Sequence, residues 1–253
     1  LSLARKVSIT VILLAAVVSS ANAAGIKKET VPGGTLEQTW LPGFGVGRSF
    51  TALTLTGADP AIPNPSGDNT VAVLQNNDTN LGGIAACATD PGGYSDYTWE
   101  ANFFTGNGDT RRGLILRADP TNGFQTFYQF VINAGLFQIR FRKFVAGAPV
   151  VPDLASWFAT VLPAGVPALN SWHHLRVDAT ANTFDCWFDG TKLNATPIVD
   201  ATDPILTGWV GAYNFSASVG EVPAYFDDLD LTCTTPPTAA RGTTWGALKK
   251  LYH

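Results

Sequence analysis

Residues 172–190 read WHHLRVDATANTFDCWFDG. Side chains in a strand alternate between its two faces, so His174, Arg176 and Asp178 would lie on one side and Leu175, Val177 and Ala179 on the other. Ala181-Asn182-Thr183 forms a short polar bend. Phe184, Cys186 and Phe188 then alternate with Asp185 and Trp187, and Asp189-Gly190 supplies the positive-φ residues that a tight reversal needs. The stretch predicts a hairpin followed by a second reversal, with one apolar face on each arm.

Upstream, strand-like runs follow one another at 70–74, 83–87, 96–104, 112–118, 124–132 and 136–144. Turns separate them, among them Asp90-Pro91-Gly92-Gly93, Asp119-Pro120-Thr121-Asn122-Gly123 and Asn133-Ala134-Gly135. Residues 24–69 are irregular and rich in Gly and Pro. Residues 149–171 break the rhythm with Pro-interrupted apolar sequence containing Trp157 and Phe158, and predict a loop or one helical turn. Downstream come runs at 205–215 and 224–233. Strands at this spacing without amphipathic helices between them predict an all-β protein, a two-sheet antiparallel sandwich.

The chain has 253 residues, of which 14% are charged, and a formal net charge of −4. Such a length suits one all-β domain, and the absence of any basic tract excludes a nucleic-acid footprint. Residues 1–23 read as a signal peptide: Arg5 and Lys6, an apolar run from Val7 to Val18, then Ala21-Asn22-Ala23 as the cleavage site. No later segment is apolar for long enough to span a bilayer. The expectation is a secreted or cell-surface protein with its domain at 24–235. Pro236-Pro237 opens a tail, 236–253, in which Trp245, Leu248 and Leu251 could form one side of a short helix and serve surface attachment.

The segments YSDYTWEANFF (94–104), RRGLILRAD (111–119), FQTFYQFVINAGLFQIRFRK (124–143), WHHLRVDATANTFDCWFDGTKL (172–193), TGWVGAY (207–213) and AYFDDLDL (224–231) occur in an order that resembles the concanavalin A-like lectin/glucanase superfamily, in particular its laminin-G-like and DUF1080-like bacterial domains. The resemblance implies a jelly roll whose last strand lies beside the Tyr97 to Phe104 strand. It thereby implies a Cys87–Cys233 disulfide, while Cys186, alternating with Phe184 and Phe188 on an apolar face, reads as a buried free thiol. It also implies a carbohydrate partner, and a structural calcium ion with Asp227 or Asp228 near the last strand as ligand. The glucanase branch carries a Glu-x-Asp-x-x-Glu strand, and none of Glu29, Glu37, Glu100 or Glu221 begins one.

Candidate ligand-binding residues follow from the same frame. Arg117, Arg140 and Arg142 could donate to sugar hydroxyls or to the carboxylates of an acidic glycan; the alternative is a ladder paired with Glu100 or Asp119. Tyr128 and Trp157 could stack on sugar rings, while Trp99, Trp172, Trp187 and Trp209 have the alternation of core residues. No catalytic set emerges. His173 and His174 lie on opposite faces without a metal pattern, and a hydrolase reading would have to draw on Glu100, Asp119 or Asp178. The sequence thus predicts a non-enzymatic carbohydrate-binding module, with a glycan hydrolase or lyase and an adhesive surface protein as the other readings.

Overall fold

The structure, a computed structural model, describes residues 27–31, 34–44, 48–55, 64–76, 82–88, 92–105, 110–133, 136–158, 160, 162, 165–216 and 223–233. The expected signal peptide, the C-terminal tail and Glu221 lie outside the described residues. In chain order the strands are β1 (Lys27–Glu29), β2 (Trp40–Gly43), β3 (Arg48–Thr54), β4 (Thr70–Asn76), β5 (Gly83–Cys87) and β6 (Tyr97–Phe104). Then come β7 (Thr110–Ala118), β8 (Phe127–Asn133), β9 (Gln138–Val145), β10 (Ala148–Pro149) and β11 (Ala155–Phe158). The last group is β12 (Trp172–Thr180), β13 (Thr183–Phe188), β14 (Thr191–Lys192), β15 (Ile198–Val199), β16 (Trp209–Ser216) and β17 (Ala224–Cys233).

These strands make a two-sheet antiparallel jelly-roll sandwich. The first sheet runs β14-β13-β12-β6-β17-β4-β3, with β1 also on β17 and β15 on β13. The second runs β10-β9-β8-β7-β16-β5-β2, with β11 on β9. The last strand lies beside β6, as the resemblance implied, with Leu231 opposite Trp99. Among the described residues no helix is long and apolar enough to cross a membrane.

Alternation fixes which side of each strand is covered. Leu175, Val177, Phe184 and Phe188 of the first sheet meet Leu114, Leu116, Phe130 and Phe141 of the second in one core. Burying each such side chain is worth roughly 1.5–3 kcal/mol, so a one-residue slip, which would turn the whole set outward, is strongly disfavoured. The Trp99 indole N–H donates across the core to the Gly211 carbonyl at 3.1 Å.

Departures from the expected strands include β1, β2 and β3, which fall in residues 24–69, read from the sequence as irregular. Phe124 leaves the sheet: Asp119 caps a short 3-10 turn over Pro120–Asn122, and the Phe124 ring packs on Trp209 with centroids 5.5 Å apart. The 149–171 stretch is not wholly a loop, since β11 adds an edge strand to β9.

Candidate functional site

Strand register places the outer face of the second sheet as a grid. One row reads Phe215, Arg111, Asn133, Gln138 and Phe158 across β16, β7, β8, β9 and β11. The next reads Tyr213, Gly113, Val131, Arg140 and Ser156, and the third Gly211, Ile115, Gln129 and Arg142. Gly113 and Gly211 stand where a Cβ would come within 2.2 Å of a neighbouring strand's carbonyl oxygen, that of Phe130 and of Ala85 respectively. Beyond the third row Phe127 and Phe144 stack at 4.7 Å, and Phe44 lies edge-on to both, 5.5 and 6.2 Å away. This aromatic plug bounds the polar part of the face on one side.

Polar chemistry gathers on β8 and β9. Asp153, just before β11, accepts from Arg140 Nε at 2.5 Å and from Arg142 Nε at 2.9 Å. Arg111 sits with its guanidinium 4.6 Å from the centroid of Phe215. Gln129, between Ile115 and Arg142, is fully buried, yet among the described residues neither its amide nitrogen nor its amide oxygen has a hydrogen-bond partner. Phe158 is 63% exposed at the edge of the grid.

Two of the five expected ligand-binding residues therefore share one face, Arg140 and Arg142. Arg117 does not join them. Period-2 alternation from Arg111 through Ile115 would put it outward, but β7 bulges. Ile115 pairs with Gly211 and Ala118 with Trp209, so Leu116 and Arg117 together span Val210. The bulge gives Arg117 a φ of +51° and turns its side chain inside, where it donates to the carbonyls of Ile205 and Ser95, each at 2.7 Å. Gly208 makes this possible, since a Cβ there would stand 2.4 Å from the Arg117 carbonyl carbon. Tyr128 is also internal. Its hydroxyl donates to Asp200 at 2.6 Å and accepts from the Ile205 amide at 2.9 Å, and burial, then Asp200, pushes its pKa up. Trp157 lies on β11 with its ring edge-on to Phe130, facing the core rather than overhanging it.

Sequence reasoning missed Gln129, Arg111, Asp153 and Phe158. The first two share the parity of Val131 and Ile115 and could have been placed by alternation; nothing local marks Asp153 or Phe158.

The first sheet's outer face is different in kind. Arg176 pairs with Asp178 through two bonds of 3.0 Å and lies over the Trp187 ring, while Lys192 pairs with Asp185 at 3.0 Å. Glu100 and Asp178 share this face, but Asp119 lies on the turn after β7, where its carboxylate caps Thr121. The three acids considered for hydrolysis thus do not share one face.

Ser171, His173 and Asp189 form hydrogen bonds of triad sequence: Ser171 Oγ to His173 Nε2 at 3.0 Å, and His173 Nδ1 to Asp189 at 2.7 Å. His173 and Asp189, but not Ser171, border a cleft of about 270 Å³. His173 Nε2 also lies 2.8 Å from the Ala168 carbonyl, and a carbonyl can only accept. Both ring nitrogens therefore donate. Burial works to lower the pKa of His173, but Asp189 and the Ala168 carbonyl outweigh it and raise it above the usual value. An imidazolium with both protons engaged cannot act as the base for Ser171; it pins residues 165–171 to the sheet.

Asp227 and Asp228 separate. Asp228, at φ +48°, faces Asn102 of β6, 3.3 Å away. Asp227 is buried and accepts from Ser66 N–H and Asn64 Nδ2, both at 3.1 Å. Asn64 Nδ2, with two hydrogens, also lies 2.8 Å from Ser66 Oγ, 3.1 Å from Asp68 and 3.0 Å from the Thr70 carbonyl. Four oxygens thus converge where two protons are available, an all-oxygen donor set of the kind calcium prefers. Among the described residues no group of three or more His, Cys, Asp or Glu forms a metal cluster.

Of the expected Cys87–Cys233 pair, Cys233 lies opposite Tyr97 in the first sheet and Cys87 opposite Trp40 in the second, and both are buried in the same core.

No family profile and no curated protein matches the chain. Solved structures do. The carbohydrate binding module CBM66 from Bacillus subtilis superposes with a TM-score of 0.53 at 16% identity, covering 76% of this chain and 95% of that one. A Bacillus licheniformis β-glucanase gives 0.50 at 16% identity, covering 82% and 98%. A protein of unknown function with a galectin-like fold, from Bacillus subtilis, gives 0.50 at 12%, covering 76% and 88%. With its sheet order and the pairing of β17 on β6, the chain shares with these structures a concanavalin A-like jelly-roll fold.

Proposed function

We propose that the protein is an exported, non-enzymatic module that binds a saccharide on the outer face of its second sheet. The observation that carries this reading is the juxtaposition of Arg140, Arg142 and Asp153 with Gln129, whose buried amide has neither donor nor acceptor satisfied. Burying such an amide unpaired costs about 1–3 kcal/mol, a cost that a ligand supplying both partners offsets. Sugar hydroxyls are such partners, and the exposed Phe158 ring at the edge offers a stacking surface. Two of the solved structures sharing this fold, a carbohydrate binding module and a β-glucanase, act on the same ligand class. The test is a glycan array probed with the protein and with Gln129→Leu, beside an assay for new reducing ends. Binding that Gln129→Leu abolishes, without reducing ends, is expected; binding unchanged by the substitution removes this face from the function.

The same reading includes a structural calcium ion held by Asp227, Asp68, Ser66 and the Thr70 carbonyl, where it would tie residues 64–70 to the last strand. Millimolar calcium is expected to raise the thermal midpoint and Asp227→Asn to abolish the rise. An equal rise in the variant would place the ion elsewhere.

A further inference from the structure

The second sheet's outer face holds more positive charge than it neutralises. Among the described residues, Asp153 is the carboxylate that bonds to its arginines, and it takes only the Nε edges of Arg140 and Arg142. Arg111 is positioned by the Phe215 ring rather than by an acid. On the first sheet, by contrast, Arg176 and Lys192 each have their own carboxylate. Strands lie about 4.8 Å apart, so Arg111 on β7 and Arg140 on β9 are separated by about 10 Å across the sheet, within the joint reach of two arginine side chains. Arg142 registers both neighbours: burial first, then the Arg140 charge, hold its pKa below the usual arginine value, with Arg111 adding to the effect and Asp153 opposing it.

A guanidinium cluster alone would suit any anion. Gln129 narrows the choice, because its amide presents an unpartnered acceptor as well as an unpartnered donor. An anion without an O–H group, such as sulfate, has no hydrogen to give to the Gln129 oxygen. The occupant must carry an anionic group and, a few ångströms away, a hydroxyl.

Resting on the saccharide-binding reading above, we infer that the ligand is an anionic saccharide, its carboxylate or sulfate held by Arg111, Arg140 and Arg142 and a neighbouring hydroxyl by Gln129. Two guanidinium edges can meet a carboxylate or sulfate in parallel bonds, which a neutral sugar cannot match.

The inference is tested by affinity electrophoresis of the full chain at low salt in four polymers: a polyuronate, a sulfated galactan, a neutral galactan and polyglutamate. At least one acidic polysaccharide is expected to retard the protein at a concentration about tenfold below that needed for the neutral galactan, and the two acidic arms tell carboxylate from sulfate. Arg111→Gln and Arg140→Gln should each weaken that binding by about tenfold, and Arg111→Gln, which breaks no bond to a carboxylate, should leave the thermal midpoint unchanged. Neutral and acidic galactans binding alike would overturn the anionic preference and leave the saccharide reading standing. Polyglutamate binding as tightly as the polyuronate would overturn the need for hydroxyls. Binding to none of the four would sink both.

Discussion

Gln129 sits in FYQFVIN as the one polar residue between Phe127 and Val131 on its face, so its outward parity is legible in the sequence. What no sequence pattern carries is that its amide meets no partner there, a property of the residues facing it from β7 and β9. That property has a thermodynamic signature: Gln129→Leu removes two unsatisfied buried atoms and should stabilise the unliganded protein by about 1 kcal/mol or more, while abolishing ligand binding. A midpoint in urea that falls instead would mean that the amide is satisfied in solution. His173 is a second residue whose role only the structure discloses, since Asp189 arrives from the far end of the neighbouring strand. Its folded pKa is raised above the unfolded value, so its contribution to stability is complete below about pH 6.5 and is lost as pH rises through the folded pKa. Urea midpoints of the protein and of His173→Gln should therefore differ most in mild acid and converge in alkaline buffer. A difference that grew with pH would contradict the imidazolium.

Among the elements, β12 and β13 were readable almost residue by residue, because both arms alternate cleanly and Asp189-Gly190 closes them. The strand β7 was readable only to Leu116. Alternation assumes an unbroken ladder, and the bulge opposite Val210 breaks it, carrying Arg117 from an expected ligand face into the core. The signal that could have warned of this is Gly208, a glycine immediately before the partner strand. Its importance is steric: a Cβ would stand 2.4 Å from the Arg117 carbonyl carbon and 2.5 Å from the carbonyl oxygen, both backbone atoms that cannot rotate away. Gly208→Ala should destabilise the fold by about 2 kcal/mol, and the loss should appear in the unfolding midpoint. Because Arg117 then loses its anchoring on Ile205 and Ser95, the variant should also show faster hydrogen exchange at Tyr94, whose amide donates to the Gly208 carbonyl. β11 escaped notice for another reason. Edge strands need satisfy only one ladder, and prolines on either side of Ala155–Phe158 disguise a four-residue run.

At the scale of the molecule, charge is divided between the two faces of the sandwich. The chain as a whole carries −4; among the described residues Glu100, Asp178, Asp185 and Asp230 outnumber Arg176 and Lys192 on the first sheet's outer side, while Arg111, Arg140 and Arg142 outnumber Asp153 on the second's. The sheets pack about 10 Å apart and both sets point outward, so the sets are separated by more than the Debye length of about 10 Å at 0.1 M salt. A small anion at the second sheet therefore senses mainly the arginines beneath it, whereas a long polyanion approaching from a distance meets a net repulsion. The two cases differ in sign. For a short acidic oligosaccharide, raising NaCl from about 0.05 to about 0.5 M should weaken binding by about three- to tenfold, because screening acts on the guanidinium contacts. For a long polyanion the association rate should rise with salt at first, as the repulsion is screened, before affinity declines. Binding of the oligosaccharide that is indifferent to salt, or that strengthens throughout the range, would show that the arginines of β7 and β9 do not hold its charge. Arg111→Gln supplies the internal control: with one of the three guanidinium groups gone, the salt dependence should become shallower while the fold, measured by its thermal midpoint, stays where it was.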